Sequence, residues 1–170
     1  MANKKLKIEF TTYIDVLQYL VGMHYLFIPE KIVKKAGGIG TRLLCTVNNE
    51  KPYQCGMVSL GNGTAYISIN KKRLKDAGLS KGDEVQVVLE PDTSEYGMEV
   101  PDELQELFKQ DSEGFKRFEG LTPGKQRYII NYVATVKSPQ LRVDRAILLI
   151  ENLKKLPIGK ESFRAMLGLE

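Results

Sequence analysis

The apolar and polar positions of this chain change rhythm once, near residue 92. Before that point they read as short strands. Ile8, Phe10, Thr12 and Ile14 alternate onto one face, and apolar runs follow at 25–28, 43–47, 54–60, 65–69 and 84–90. Asn48-Asn49-Glu50-Lys51-Pro52 and Gly61-Asn62-Gly63 separate neighbouring runs at hairpin distance, with residues that tolerate positive φ. The first half is therefore expected to be mostly β.

That half contains an internal repeat. Residues 25–47 align with 66–88 at a constant offset of 41, and seven of the 23 positions are identical: Tyr25/Tyr66, Ile28/Ile69, Lys31/Lys72, Lys34/Lys75, Ala36/Ala77, Gly37/Gly78 and Val47/Val88. Each copy reads strand, short helix, glycine stop, strand. Pro29 presets φ where the first helix opens, Asn70 is placed to cap the second, and Gly37 and Gly78 supply the left-handed residues that end them. Neither copy can bury its apolar face alone. The expected packing interleaves them about a pseudo-twofold axis into one small barrel, with strands from 7–14 and 54–60 recruited to it.

The linker Pro91-Asp92-Thr93-Ser94-Glu95-Tyr96-Gly97 has no periodicity, and helical spacing follows it. Pro101 opens a helix with Leu104, Leu107 and Phe108 inward, and Asp111 or Ser112 caps a second that carries Phe115 and Phe118. Thr122-Pro123 and Ser138-Pro139 each join a capping hydroxyl to a ring that needs no donor, which marks two further helix starts. The expected buried stripes are Ile129, Ile130, Val133 and Val136 in the third helix, and Val143, Ala146, Ile147, Ile150 and Leu153 in the fourth. The fold class is thus α+β: a split β-barrel domain over 1–92, a helical bundle over 99–156, and a tail over 157–170 with one short helical stretch around Phe163, Met166 and Leu167.

Composition narrows the function classes. With 170 residues, 42% apolar and 27% charged, the chain has an ordinary globular make-up, and its apolar runs fall far short of the about 18 residues a membrane span needs. The start, Met1-Ala2-Asn3-Lys4-Lys5-Leu6, is basic with no apolar signal core behind it, so a cytoplasmic location is expected. Cys45 and Cys55 flank a polar turn; in a reducing compartment they read as semi-buried thiols, although paired strands would bring them close enough to meet. His24 is the only histidine, in a strand-like run, and reads as structural. With no Cys-x-x-Cys or His-x-x-x-His spacing, neither a metal nor another cofactor is expected. Gly37-Gly38-Ile39-Gly40 lacks the lysine-hydroxyl end of a phosphate loop and reads as a turn, and Asp83 reads as serving the backbone of its own turn. No catalytic residue emerges, so the chain reads as a binding protein and not an enzyme.

Charge is where binding would show. The net +4 lies in residues 1–92, which hold 13 Lys/Arg against 9 Asp/Glu, whereas residues 93–170 balance at 12 and 12. The second half is itself polarised, with 8 acids and 3 bases over 95–119 and 3 acids and 9 bases over 125–164. Arg127, Lys137, Arg142 and Arg145 form one candidate site. They could together hold a phosphate or carboxylate, or they could pair with Glu103, Glu106 or Asp111 and lock the bundle. Lys31, Lys34, Lys72 and Lys75, with the unmatched Arg73, form another: two related basic spots suited to phosphate contacts, or plain solvated helix faces.

The segment 66–83, Tyr-Ile-Ser-Ile-Asn-Lys-Lys-Arg-Leu-Lys-Asp-Ala-Gly-Leu-Ser-Lys-Gly-Asp, running on to Glu90, resembles the closing half of a bacterial β-barrel domain of unknown function. Residues 100–153, with Val100-Pro101, Leu121-Thr122-Pro123, Arg127-Tyr128, Lys137, Arg142 and Arg145, resemble the helical domain of the YdeI/OmpD-associated family, which often follows that barrel. Where that family usually has Thr, Ala and commonly Trp, this chain has Leu141, Val136 and Tyr132. The strand-helix-strand repeat is also similar to the swapped-hairpin fold of AbrB-type transcription factors and antitoxins. Those are dimers of one copy each, so a chain holding both copies is expected to be a monomer. The resemblance implies a bacterial protein connected with bacteriocin protection and cationic-peptide resistance, with no reaction attached to residues. An anionic ligand or an envelope-stress protein is the expected partner. Nucleic acid, held by the barrel lysines, is the alternative.

Overall fold

A computed structural model of the chain describes residues 6–19 and 22–170, so the basic start at Lys4-Lys5 lies outside the described residues. The chain divides into two units, one ending at Thr93 and the other beginning at Ser94. No helix among the described residues is long and apolar enough to cross a membrane.

The first unit contains β1 (Ile8–Val16), β2 (His24–Ile28), α1 (Glu30–Lys35), β3 (Arg42–Val47), β4 (Tyr53–Gly56), β5 (Val58–Gly61), β6 (Thr64–Ile69), α2 (Lys71–Ala77) and β7 (Glu84–Pro91). The strands form one antiparallel sheet in the order β4-β3-β7-β1-β2-β6-β5. Its shape follows from chain connectivity. β4 and β5 are the two edges, yet Met57 alone joins them, and Met57 is buried. Laid flat, seven strands would hold their edges about 29 Å apart, whereas one linking residue reaches only about 7 Å. The sheet must curl until its edges approach, and the Tyr53 hydroxyl of β4 donates to the Ser68 carbonyl of β6 at 3.0 Å. The result is a half-barrel whose concave side holds Ile8, Ile14, Leu26, Ile28, Leu43, Cys45, Ile67 and Leu89.

The run 54–60, expected as one strand, is in fact two. Both pieces are apolar enough to read as one run, but Met57 turns inward between them and sends each to an opposite edge. The two hairpin turns stand where the sequence puts them, with Asn48, Asn49 and Asn62 at positive φ. β1 serves both halves of the sheet: residues 8–13 pair with β7 and residues 14–16 with β2.

Each repeated segment folds as strand, helix, strand. α1 and α2 end alike. The amides of Gly37 and Gly78 donate to the carbonyls of Lys34 and Lys75, and the amides of Gly38 and Leu79 donate to those of Val33 and Leu74. β2 pairs with β6, Leu26 opposite Ile67, and β3 pairs with β7, Thr46 opposite Val88.

The second unit contains α3 (Asp102–Gln110), α4 (Ser112–Glu119), α5 (Pro123–Ala134), α6 (Pro139–Lys155) and α7 (Phe163–Met166). Asp111 caps α4 by accepting from the Gly114 amide at 2.8 Å, and Ser162 caps α7 by accepting from Ala165 at 3.0 Å. Thr122 and Ser138 open α5 and α6, each followed by proline in the first turn. Leu104, Phe118, Ile129, Ile130, Val133, Leu149, Ile150, Leu153 and Met166 form the core. Met166 docks the tail there, and the Asn152 side chain donates to the Met166 carbonyl at 2.9 Å.

Three expected core positions are displaced, Val143 of α6 being only half-buried. Val136 lies beyond the end of α5 and is only half-buried. On α6, Ile147 is 45% exposed and Leu149 takes the inward place instead. The five consecutive apolar residues 146–150 let the helical period be read in either phase, and packing selects Ala146, Leu149, Ile150 and Leu153.

Candidate functional site

Four basic residues of the helical unit, Arg117, Arg142, Arg145 and Lys154, hold it together. Arg142 donates from Nε to Glu103 at 2.9 Å and from Nη1 to the carbonyls of Val136 and Lys137, both at 3.0 Å. Arg145 donates to the Tyr132 carbonyl at 2.8 Å, and its guanidinium carbon lies 4.2 Å over the Tyr132 ring. The two arginines thus close the C-terminal end of α5, where carbonyls lack helical partners. Lys137 stands exposed beside them; Arg127, earlier on α5, shares no hydrogen bond or ion pair with the other three among the described residues. Glu103 is held below the ordinary carboxylate range, first by its own backbone amide and then by Arg142.

Two further pairs complete this lock. Lys154 meets Asp111 at 2.8 Å, and Arg117 donates to the carbonyls of Lys154 and Leu156 and to Glu161. Arg117 was not among the sequence candidates. It sits inside the acidic stretch beside Lys116, where nothing local signals that it faces a helix end 37 residues away.

In the β unit, Lys34 pairs with Glu30 and Lys72 with Asp76, each within its own short helix. Arg73 instead turns to the β3–β4 hairpin, where it donates to the Lys51 carbonyl at 3.0 Å and lies 4.3 Å over the Tyr53 ring. Lys31 and Lys75 are exposed. Cys45 and Cys55 are free, buried thiols placed diagonally on the β3–β4 ladder. A hydrogen bond between them holds the Cys45 thiol below its ordinary value and pushes that of Cys55 up, with burial adding to the latter. His24 Nδ1 lies 3.1 Å from the Gly22 carbonyl, and Asp83 accepts from the Ser80 amide within its turn. Among the described residues no three of His, Cys, Asp and Glu come together as a metal site would require.

The chemistry of the helical surface is set by its acids. Two adjoining hollows share Asp102 and Glu103. One, of about 380 Å³ between α3 and α6, has Leu107, Val143, Ala146 and Ile147 as its apolar floor and Glu106 on its wall. The other, of about 370 Å³, extends to Glu99 and Val100. Among the described residues Arg142 is the one cation lining either, and it is bonded to Glu103. Asp102 and Glu106 stand exposed one helical turn apart, beside the half-exposed Ile147. An apolar floor under an acidic wall suits a partner with apolar and cationic faces. The sequence signal for this site was present in the acid-rich stretch 95–119, but it was read there only as a counterweight to the bases.

Residues 97–155, which hold this groove, match the family model described as Bacteriocin-protection, YdeI or OmpD-Associated (OmdA). Residues 10–89 match the one described as Domain of unknown function (DUF1905). A search of the curated proteins returned no match.

Proposed function

We propose that the chain is a protection-type protein that works as a cytoplasmic monomer by binding, without catalysing a reaction, and that its helical unit takes a cationic amphipathic peptide segment along α3 and α6. The observation that carries this reading is the apolar floor beside an acidic wall, where Glu103 is tied to Arg142, Glu106 meets Lys109 in an exposed ion pair and Asp102 stands exposed, in the segment that matches the bacteriocin-protection family. An amphipathic helix would lay its apolar side on Leu107, Val143 and Ile147 and turn lysines to Asp102 and Glu106. An anionic ligand at the basic residues has less support, because Arg142 and Arg145 already donate to Glu103 and to the α5 end carbonyls.

Fluorescence anisotropy with a labelled Lys/Leu amphipathic peptide and its Glu/Leu counterpart tests the proposal. The cationic peptide is expected to bind and to weaken as salt rises, and Ile147→Asp to weaken it about tenfold or more. Equal binding of the two peptides would refute it.

We also infer that the β unit is an AbrB-like duplication with pseudo-twofold symmetry. Under the offset of 41, Leu26 and Ile67 are equivalent positions and lie opposite each other; Thr46 and Val47 are equivalent to Val87 and Val88, and these face each other crosswise. That symmetry keeps nucleic acid as the second reading. Against it, Lys34 and Lys72 are paired and Arg73 is turned to the hairpin. Binding to duplex DNA that falls steeply between about 50 and 200 mM salt would favour it, and no such binding would remove it.

A further inference from the structure

The β unit holds a second hollow, of about 260 Å³, between α2 and the β3–β4 hairpin. Its walls are apolar, from Val47, Ile69, Ala77 and Leu79, and its polar feature is Arg73 lying over Tyr53. Both are fixed in place. The Tyr53 hydroxyl is tied to the Ser68 carbonyl, and Arg73 Nη1 to the Lys51 carbonyl, so the guanidinium is held as a rigid fork. Its Nε and Nη2 have no partner among the described residues. The other charged residues of the lining are Lys72 and Asp76, which pair with each other, and Glu50 and Lys51 of the hairpin.

Comparison with the first repeat shows that this arrangement belongs to one copy. At the offset of 41 the position of Arg73 is occupied by Ile32, which packs against the core, that of Asn70 by Pro29 and that of Asp76 by Lys35. A buried-side guanidinium stacked on an aromatic ring is not what closes the fold, since the equivalent helix closes with isoleucine.

We infer that this hollow is a binding site for a small monocarboxylic acid with an apolar body. The free edge of a fixed guanidinium matches a carboxylate in plane and spacing, and the apolar walls take the remainder of the molecule. The volume lies just under the usual range for drug-sized ligands, which restricts that body to one or two rings or a short branched chain. The site is separate from the peptide groove of the helical unit, so either can fail without the other.

The test uses the full chain, with 3-phenylpropionate as the probe and 3-phenylpropionamide and inorganic phosphate as comparators, read by calorimetry and by amide chemical shifts. The acid is expected to bind about tenfold or more tightly than the amide, because only it pairs with the guanidinium. Shifts are expected to concentrate at Val47, Ile69, Arg73 and Leu79. Arg73→Gln should remove the preference for acid over amide, whereas Lys31→Gln, on the other helix, should leave it unchanged. If Arg73→Gln unfolds the chain, the wild-type shift map still decides the location. Equal binding of acid and amide, phosphate binding as tightly as the acid, shifts centred outside the hollow, or no binding at millimolar acid would each overturn the inference.

Discussion

The two units use charge in opposite ways. In the β unit, the ion pairs Lys7–Glu9, Lys34–Glu30, Lys72–Asp76 and Lys81–Asp15 all have side chains at least 36% exposed. The helical unit has exposed pairs too, Lys109–Glu106 and Arg164–Glu170, but its Arg117–Glu161, Arg142–Glu103 and Lys154–Asp111 pairs are 10–24% exposed and join residues 39 or more positions apart. A curled sheet satisfies most of its backbone through its ladders, with the uncharged Tyr53 hydroxyl as a tie to Ser68 where its ends approach. A set of short helices leaves orphan carbonyls at every C-terminal end, and Arg117 and Arg142 bind carbonyls there as well as carboxylates. The lesson is that Arg117, Arg142 and Lys154 act as structure in the helical unit, whereas Lys34 and Lys72 of the β unit stay at the surface.

Substitutions can break this contrast, beginning with the largest effect. Arg117→Met leaves the buried Glu161 and the Leu156 carbonyl without their partner, and is expected to cost about 2–3 kcal/mol in urea unfolding. A loss under about 0.5 kcal/mol would place this pair with the solvated ones of the β unit. Gly114→Ala comes next. A methyl there would stand 2.4 Å from Ile150 Cγ2, so about 1–3 kcal/mol should be lost, whereas Gly124→Ala, with open space around it, should be neutral or stabilising.

Acid should act on the helical unit through the same pairs. Asp111 is held below its ordinary range by Lys154 and the Gly114 amide, and Glu103 by its own amide and Arg142. At Glu161 burial works upward, but the amides of Glu161 and Gly159 together with Arg117 outweigh it. Carboxylates that are stronger acids folded than unfolded contribute stability that is fully present above the unfolded values near pH 4, and that is lost as pH falls through the folded ones. Amide signals of α4 and α7 in the intact chain should therefore weaken below about pH 4 before those of β7. The reverse order would contradict the contrast. Least of all, Lys34→Gln and Lys72→Gln should stay within about 0.5 kcal/mol of wild type.

Much of the architecture could be read from local chemistry. The turn asparagines, the glycine stops of α1 and α2, the Asp111 cap and the two hydroxyl-proline starts are one-residue signals that tertiary contacts leave in force. What misled were runs whose deciding positions are apolar. Residues 54–60 and 146–150 carry no polar residue at the place where the direction or phase is decided, so only packing could split β4 from β5 or choose Leu149 over Ile147. The candidate sites were harder still. The arginines of α6 are candidates from the sequence, but choosing between their two readings depends on Glu103, 39 residues from Arg142. The acidic groove needs α3 and α6 side by side, which no spacing within either helix reports.

The central claim, that the wall of this groove recognises cationic partners, is tested most directly by a charge swap. The full chain and a folded Asp102→Lys, Glu106→Lys variant would each be titrated with the Lys/Leu and Glu/Leu peptides at low salt. The account predicts that the wild type prefers the cationic peptide and that the variant reverses this preference. A preference that survives the swap unchanged would contradict it.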